Sequence, residues 1–200
     1  MSSSLLHSSL NLEPSSVIAL QDIRYQGAVL DRIHKRSTFD PRKVERLVQD
    51  AKTNNKDAIR ILGTLHSYET IKSDLETANK DLDHVNATYA KPVLIIELRN
   101  ALWYNTHGLR ELLSAYEISP EGLIKDELLT AVYYASFACI DLVTALLEVL
   151  SDPTLKDLTE KVHSLGQKLN SAPFGSEVPE NVAELAGVLL MKTGSQSGEH

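Results

Sequence analysis

Seven prolines punctuate this 200-residue chain, and none of them interrupts an apolar stripe. Inside a helix a proline removes a hydrogen bond and collides with the preceding turn, whereas at the first helical position it forfeits no donor and its fixed φ suits the helix. Pro14, Pro41, Pro92, Pro120, Pro153 and Pro179 stand at or just before runs whose apolar residues recur at helical spacing, and Pro173 falls in the connection before the last run. Asp40-Pro41, Ser119-Pro120 and Asp152-Pro153 each join a side chain suited to accept the free N–H groups of a first turn with the proline that follows. The pattern predicts a series of helices joined by short connections. Gly 9 and Pro 7 are too few for collagen-like, linker-like or turn-rich all-β chains.

Along the chain, residues 1–14 read as a Ser-rich flexible arm, 15–170 as one α-helical domain, 171–191 as a loop plus a short helix, and 192–200 as a disordered tail. A first helix is expected from Ser15 or Ser16 to about Arg36, with Val17, Leu20, Ile23, Leu30 and Ile33 on one face. A second opens at Asp40-Pro41, places Val44, Leu47, Val48 and Ala51 on one face, and ends at Thr53-Asn54-Asn55. A third is expected to run without a break from about Asp57 to Ala90, some 34 residues and about 50 Å. Its apolar positions Ile71, Leu75, Ala78, Leu82, Val85 and Tyr89 step 4-3-4-3-4, a heptad seam, and an extra step of three between Tyr68 and Ile71 reads as a stammer.

Further helices are expected from Pro92 to Tyr116, from Ser119-Pro120 to Leu150, from Asp152-Pro153 to about Leu169, and from Pro179 to Met191. Between Leu128 and Leu147 the only charge is Asp141, so that helix must be buried on nearly all sides. Its length would allow a membrane crossing. Asp141 near the middle and acidic flanks at Asp126, Glu127, Glu148 and Asp152 argue against one. The fold class expected is therefore all-α: an elongated bundle of about six to seven helices with one long coiled-coil-like helix.

Chemistry is harder to find. Neither the dinucleotide nor the Walker glycine spacing occurs, no serine sits in a G-x-S-x-G elbow, and the lone Cys139 lies in an apolar helix. One cysteine excludes an internal disulfide and any multi-cysteine zinc site. With no charged-then-apolar leader, an intracellular and most simply cytoplasmic setting is expected. Glu160-x-x-His163 is the one helical carboxylate–imidazole pair of di-iron type, and its required second copy is missing. No metal and no cofactor are expected.

Helix 92–116 carries Arg99, Asn100, His107 and Glu111. Leu98-Arg99-Asn100-Ala101-Leu102 followed by His107-Gly108 resembles the Arg-Asn…His signature of small helical RNases of the HEPN type, although seven residues separate Arg99 from His107, more than that signature allows. The resemblance implies Arg99 holding a phosphate and His107 shuttling protons. The densest basic cluster is Arg32, Lys35, Arg36, Arg42, Lys43 and Arg46, a patch for an anionic partner. Asp31, Asp40 and Glu45 interleave it and only Phe39 offers a stacking surface, so nucleic acid is a poor fit and an acidic protein face a better one.

Charge is uneven as well. Residues 1–56 hold 9 Lys+Arg against 6 Asp+Glu, while 57–200 hold 11 against 21. The heptad seam, a second narrow one at Leu155, Leu158, Val162, Leu165 and Leu169, oppositely charged parts and no converging catalytic set point to a non-enzymatic assembly or adaptor subunit that binds a protein partner or itself. Ile71, Leu75, Leu82, Val85 and Tyr89 would form the contact. The alternatives are the RNase that uses Arg99 and His107, and a bundle holding an apolar ligand around Tyr133, Tyr134 and Phe137.

Overall fold

The computed structural model describes residues 39–171 and 177–190, and within them the chain is all-α. Helix α1 spans Pro41–Thr64, α2 Glu69–Asp83, α3 Lys91–Ile118 and α4 Leu123–Leu150. A 3₁₀ turn at Pro153–Leu155 leads into α5, Lys156–Ser171, and α6 covers Val178–Leu190. The expected arm (1–14), first helix (15–36) and tail (192–200) lie outside the described residues.

Two of the proline starts behave as their chemistry dictates. Asp40 Oδ1 accepts from the Arg42 N–H at 3.0 Å ahead of Pro41, and Asp152 Oδ1 accepts from the Thr154 N–H at 2.8 Å across Pro153. Ser119-Pro120 does not. Ser119 closes α3 instead, its Oγ donating to the Ala115 carbonyl at 2.8 Å, and α4 starts only after Gly122. Gly122 sits at φ 142, a conformation open to glycine and strained for any side chain, and it aims the chain into Leu123 and Ile124.

The expected long helix is absent, and so is the stop before it. α1 runs through Thr53-Asn54-Asn55 to Thr64, the chain turns at 65–68, and α2 is only 15 residues long. The asparagines do not end the helix because acceptors on other helices take up their Nδ2 groups, which removes the competition that makes asparagine a helix breaker. The extra step of three at Tyr68 to Ile71 marks a true break: Tyr68 is the N-cap of α2 rather than a residue within a continuous stripe.

Pairing across the helices fixes their directions. Lys52 meets Asp83 and Asn55 meets Asn79, so α1 and α2 are antiparallel. Lys43 meets Glu148 and Asn54 meets Asp141, so α1 and α4 are antiparallel too. With α3 packed on both α2 and α4, helices α1 to α4 close a ring in up-down-up-down order. The heptad face of α2 (Ile71, Leu75, Ala78, Leu82) is buried inside this ring against α1 and α3. α5 and α6 pack on the outside of α4, and α6 also reaches α3.

α4 therefore stands at the centre, touched by α1, α3, α5 and α6. Among the described residues it is the one helix long and apolar enough to cross a membrane, and most of its apolar window is covered by the chain itself. Through the middle of the ring runs one polar layer to which all four helices contribute. The Asn55 amide (α1) donates to Asn79 Oδ1 (α2) at 2.9 Å and to Asn105 Oδ1 (α3). Asn105 in turn donates to the Ala135 carbonyl at 3.3 Å and to Cys139 Sγ (α4) at 3.4 Å, and Asn79 donates to the Lys52 carbonyl. Asn55 Oδ1 alone in this layer has no partner among the described residues, and the remaining bonds, each reaching from one helix to another, favour one alignment of the helices along the bundle.

Candidate functional site

The short α2 leaves the last turns of α3 less covered at the end of the bundle that also carries the 65–68 turn. Gly108 lets the two helices approach closely just before that point: a Cβ built there would stand 3.0 Å from Leu75 Cδ2. The close approach brings His107, one residue earlier, against Asp74 of α2. His107 Nδ1 and Asp74 Oδ2 are 2.7 Å apart, and an ionised carboxylate only accepts, so Nδ1 carries the proton. One turn along α3, Glu111 Oε1 lies 3.7 Å from His107 Nε2. Trp103 stacks on the imidazole at 5.4 Å between centroids and 18° between planes, which fixes the ring.

His107 and Glu111 border an open groove of about 480 Å³ whose walls are Ile71, Ala115 and Ile118 on the apolar side and His107, Arg110, Glu111 and Ser114 on the polar side. Its far rim is the α3–α4 corner. There Ile118 is 85% exposed, Leu123 75% and Ile124 54%. These large aliphatic side chains are exposed on one corner of the chain, among the charged Glu117, Glu121 and Lys125 in sequence.

The residues singled out from the sequence are distributed differently. Of the expected contact seam, Ile71, Leu75 and Leu82 are buried in the chain's own core, Val85 is partly buried against it, and only Tyr89 is half exposed. That seam is covered by α1 and α3. Arg99 and His107 do not converge: Arg99 is buried at 2% exposure, while His107 is half-exposed and bound to Asp74. A rise of eight residue steps separates them by about 12 Å along the axis. Of the basic patch, Arg32, Lys35 and Arg36 lie outside the described residues. Arg42 and Arg46 are exposed on α1, and Lys43 pairs with Glu148 at 2.6 Å.

Tyr133, Tyr134 and Phe137 pack on one another, with Tyr133 5.7 Å from Tyr134 and 5.0 Å from Phe137, and they do not line the groove. Glu160 pairs with Lys156, and His163 faces Gln167 on the exposed side of α5. Burial pushes the Cys139 thiol up to about 12, with the Asn105 and Thr106 contacts opposing, so it stays protonated and unreactive. Asp141 is raised to about 7, first by burial and then by repulsion from Asp50, and the Asn54 amide that donates to it at 3.1 Å opposes the shift.

Sequence spacing shows His107 and Glu111 as an i, i+4 pair, but Asp74 joins them only through the fold. The exposed corner is equally hidden, because Ile118, Leu123 and Ile124 read as continuations of two buried stripes. Compared with protein families, with curated proteins and with solved structures, the chain finds no match.

Proposed function

We propose that the chain is a non-enzymatic helical interaction module that associates with a second copy of itself through the α3–α4 corner. The observation that carries this reading is the exposure of Ile118, Leu123 and Ile124 together on one short corner. Removing apolar surface from water contributes about 25 cal/mol for each Å², so a patch of this kind favours a partner that covers it. Three aliphatic side chains present no charge that a partner must match, and a two-fold contact sets the same patch against itself. Glu117, Glu121 and Lys125 then form the polar rim of the contact. The patch is small, so the association is weak and dependent on concentration.

Solution mass measured over a range of concentration tests the reading. The wild type is expected to rise from 22.1 kDa toward twice that value, and the Ile118→Lys, Leu123→Lys double variant to remain at 22.1 kDa with an unchanged melting temperature. A wild type that stays at 22.1 kDa throughout refutes it.

A further inference from the structure

We propose that His107 and Glu111 bind a divalent metal ion of the zinc type, with Asp74 positioning the imidazole. With Nδ1 held by Asp74 at 2.7 Å, the other ring nitrogen, Nε2, faces Glu111 Oε1 at 3.7 Å. That separation is too long for a hydrogen bond and leaves room for an ion that both atoms ligate.

The spacing fits such an ion. Bonds of about 2.0–2.1 Å at a tetrahedral angle place two ligand atoms about 3.4 Å apart, so the observed separation needs only a few tenths of an ångström of closure. Glu111 is half-exposed and has the freedom to make it. One ligand-type atom from each of Asp74, His107 and Glu111 lies within 4.8 Å of the other two, so the positioning carboxylate and the two ligands already stand together. Asp74 holds the outer ring nitrogen as carboxylates do behind metal-bound histidines, fixing the tautomer and the orientation of the ring. Trp103 stops the ring from swinging away. The remaining coordination positions would face the open groove, which has room for water ligands. An imidazole with a carboxylate suits zinc or cobalt better than calcium or magnesium, which prefer all-oxygen sets. The site does not depend on self-association, since all three residues belong to one chain.

The test uses the full-length chain, stripped of metal at pH 7.5, titrated with Zn²⁺ against a chromophoric chelator and separately with Co²⁺ followed by its visible absorption. Other histidines on the chain can take up ions, so the readout is the difference between wild type and variants. Glu111→Gln and His107→Gln are each expected to bind one ion fewer than the wild type and to lose the matching Co²⁺ band. Asp74→Asn is expected to keep the stoichiometry and weaken that ion by about tenfold or more. Glu111 is half-exposed, so Glu111→Gln keeps the fold, and an unchanged melting temperature in chelator verifies this. Equal ion counts and affinities in wild type and Glu111→Gln, or no uptake by the wild type, overturn the proposal.

Discussion

Asp141 is the one charge in the apolar stretch of α4, and its replacement by asparagine is expected to stabilise the protein by an amount that grows as the solution becomes more alkaline. In the folded state the carboxyl titrates at about 7, against 3.8 for an ordinary aspartate, because burial disfavours its charged form and Asp50 on α1 repels it. Between those two values the folded chain holds a proton that the unfolded chain has released. The stability tied to this group is therefore intact below about pH 4, falls as pH rises, and reaches its minimum above about pH 7. The shift is about three pH units, and each is about 1.4 kcal/mol, so the ionised side chain costs the fold up to about 4 kcal/mol at pH 8. The asparagine side chain would keep the shape, and its carbonyl would still accept from Asn54, without the charge. Urea unfolding of wild type and Asp141→Asn at pH 5, 6, 7 and 8 should show the variant's advantage growing by about 2–3 kcal/mol across the series. Subtracting one curve from the other cancels the remaining titrating groups. A difference that stays constant with pH, or a variant less stable at pH 8 than at pH 5 relative to wild type, would show that Asp141 is ionised at no cost in the fold.

Leu82→Asp places an unpaired carboxylate among α1, α2 and α3 at a position 2% exposed; it is expected to abolish the cooperative thermal transition rather than to yield a folded chain of lower mass. A folded Leu82→Asp monomer derived from a larger wild-type species would return the α2 seam to an intermolecular role. Asn105→Ala leaves the Asn55 amide short of an acceptor and the Ala135 carbonyl short of a donor, and opens a void at the centre of the ring. A loss of about 2–4 kcal/mol in urea unfolding is expected, and a loss under about 1 kcal/mol would show that the polar layer is relieved by rearrangement.

Local chemistry is legible in the sequence wherever a residue acts on its immediate neighbours. Asp40-Pro41 and Asp152-Pro153 start helical segments because a cap needs only the next two or three residues, and the apolar faces of α1, α2 and α5 follow from periodicity alone. Sequence and structure part where a partner distant along the chain changes what a residue does. Asn54 and Asn55 look like a stop until Asp141, Asn79 and Asn105 take up their amides. Ser119-Pro120 copies a helix start, yet Ser119 turns back to the Ala115 carbonyl and leaves the start to Gly122.

The heptad seam of α2 is a seam in the structure too, but its neighbours come from within the chain, for a reason that lies in its length. A narrow stripe specifies one or two neighbouring helices without saying whose they are. The break at 65–68 decides it, because it folds α2 back on α1 and so supplies the neighbour internally. With its inner faces covered in this way, the bundle leaves its chemistry where α2 is too short to follow α3 to its end. Glu111 and Ile118 line the groove at that end, just past the Asp74–His107 contact that the first turns of α2 still make.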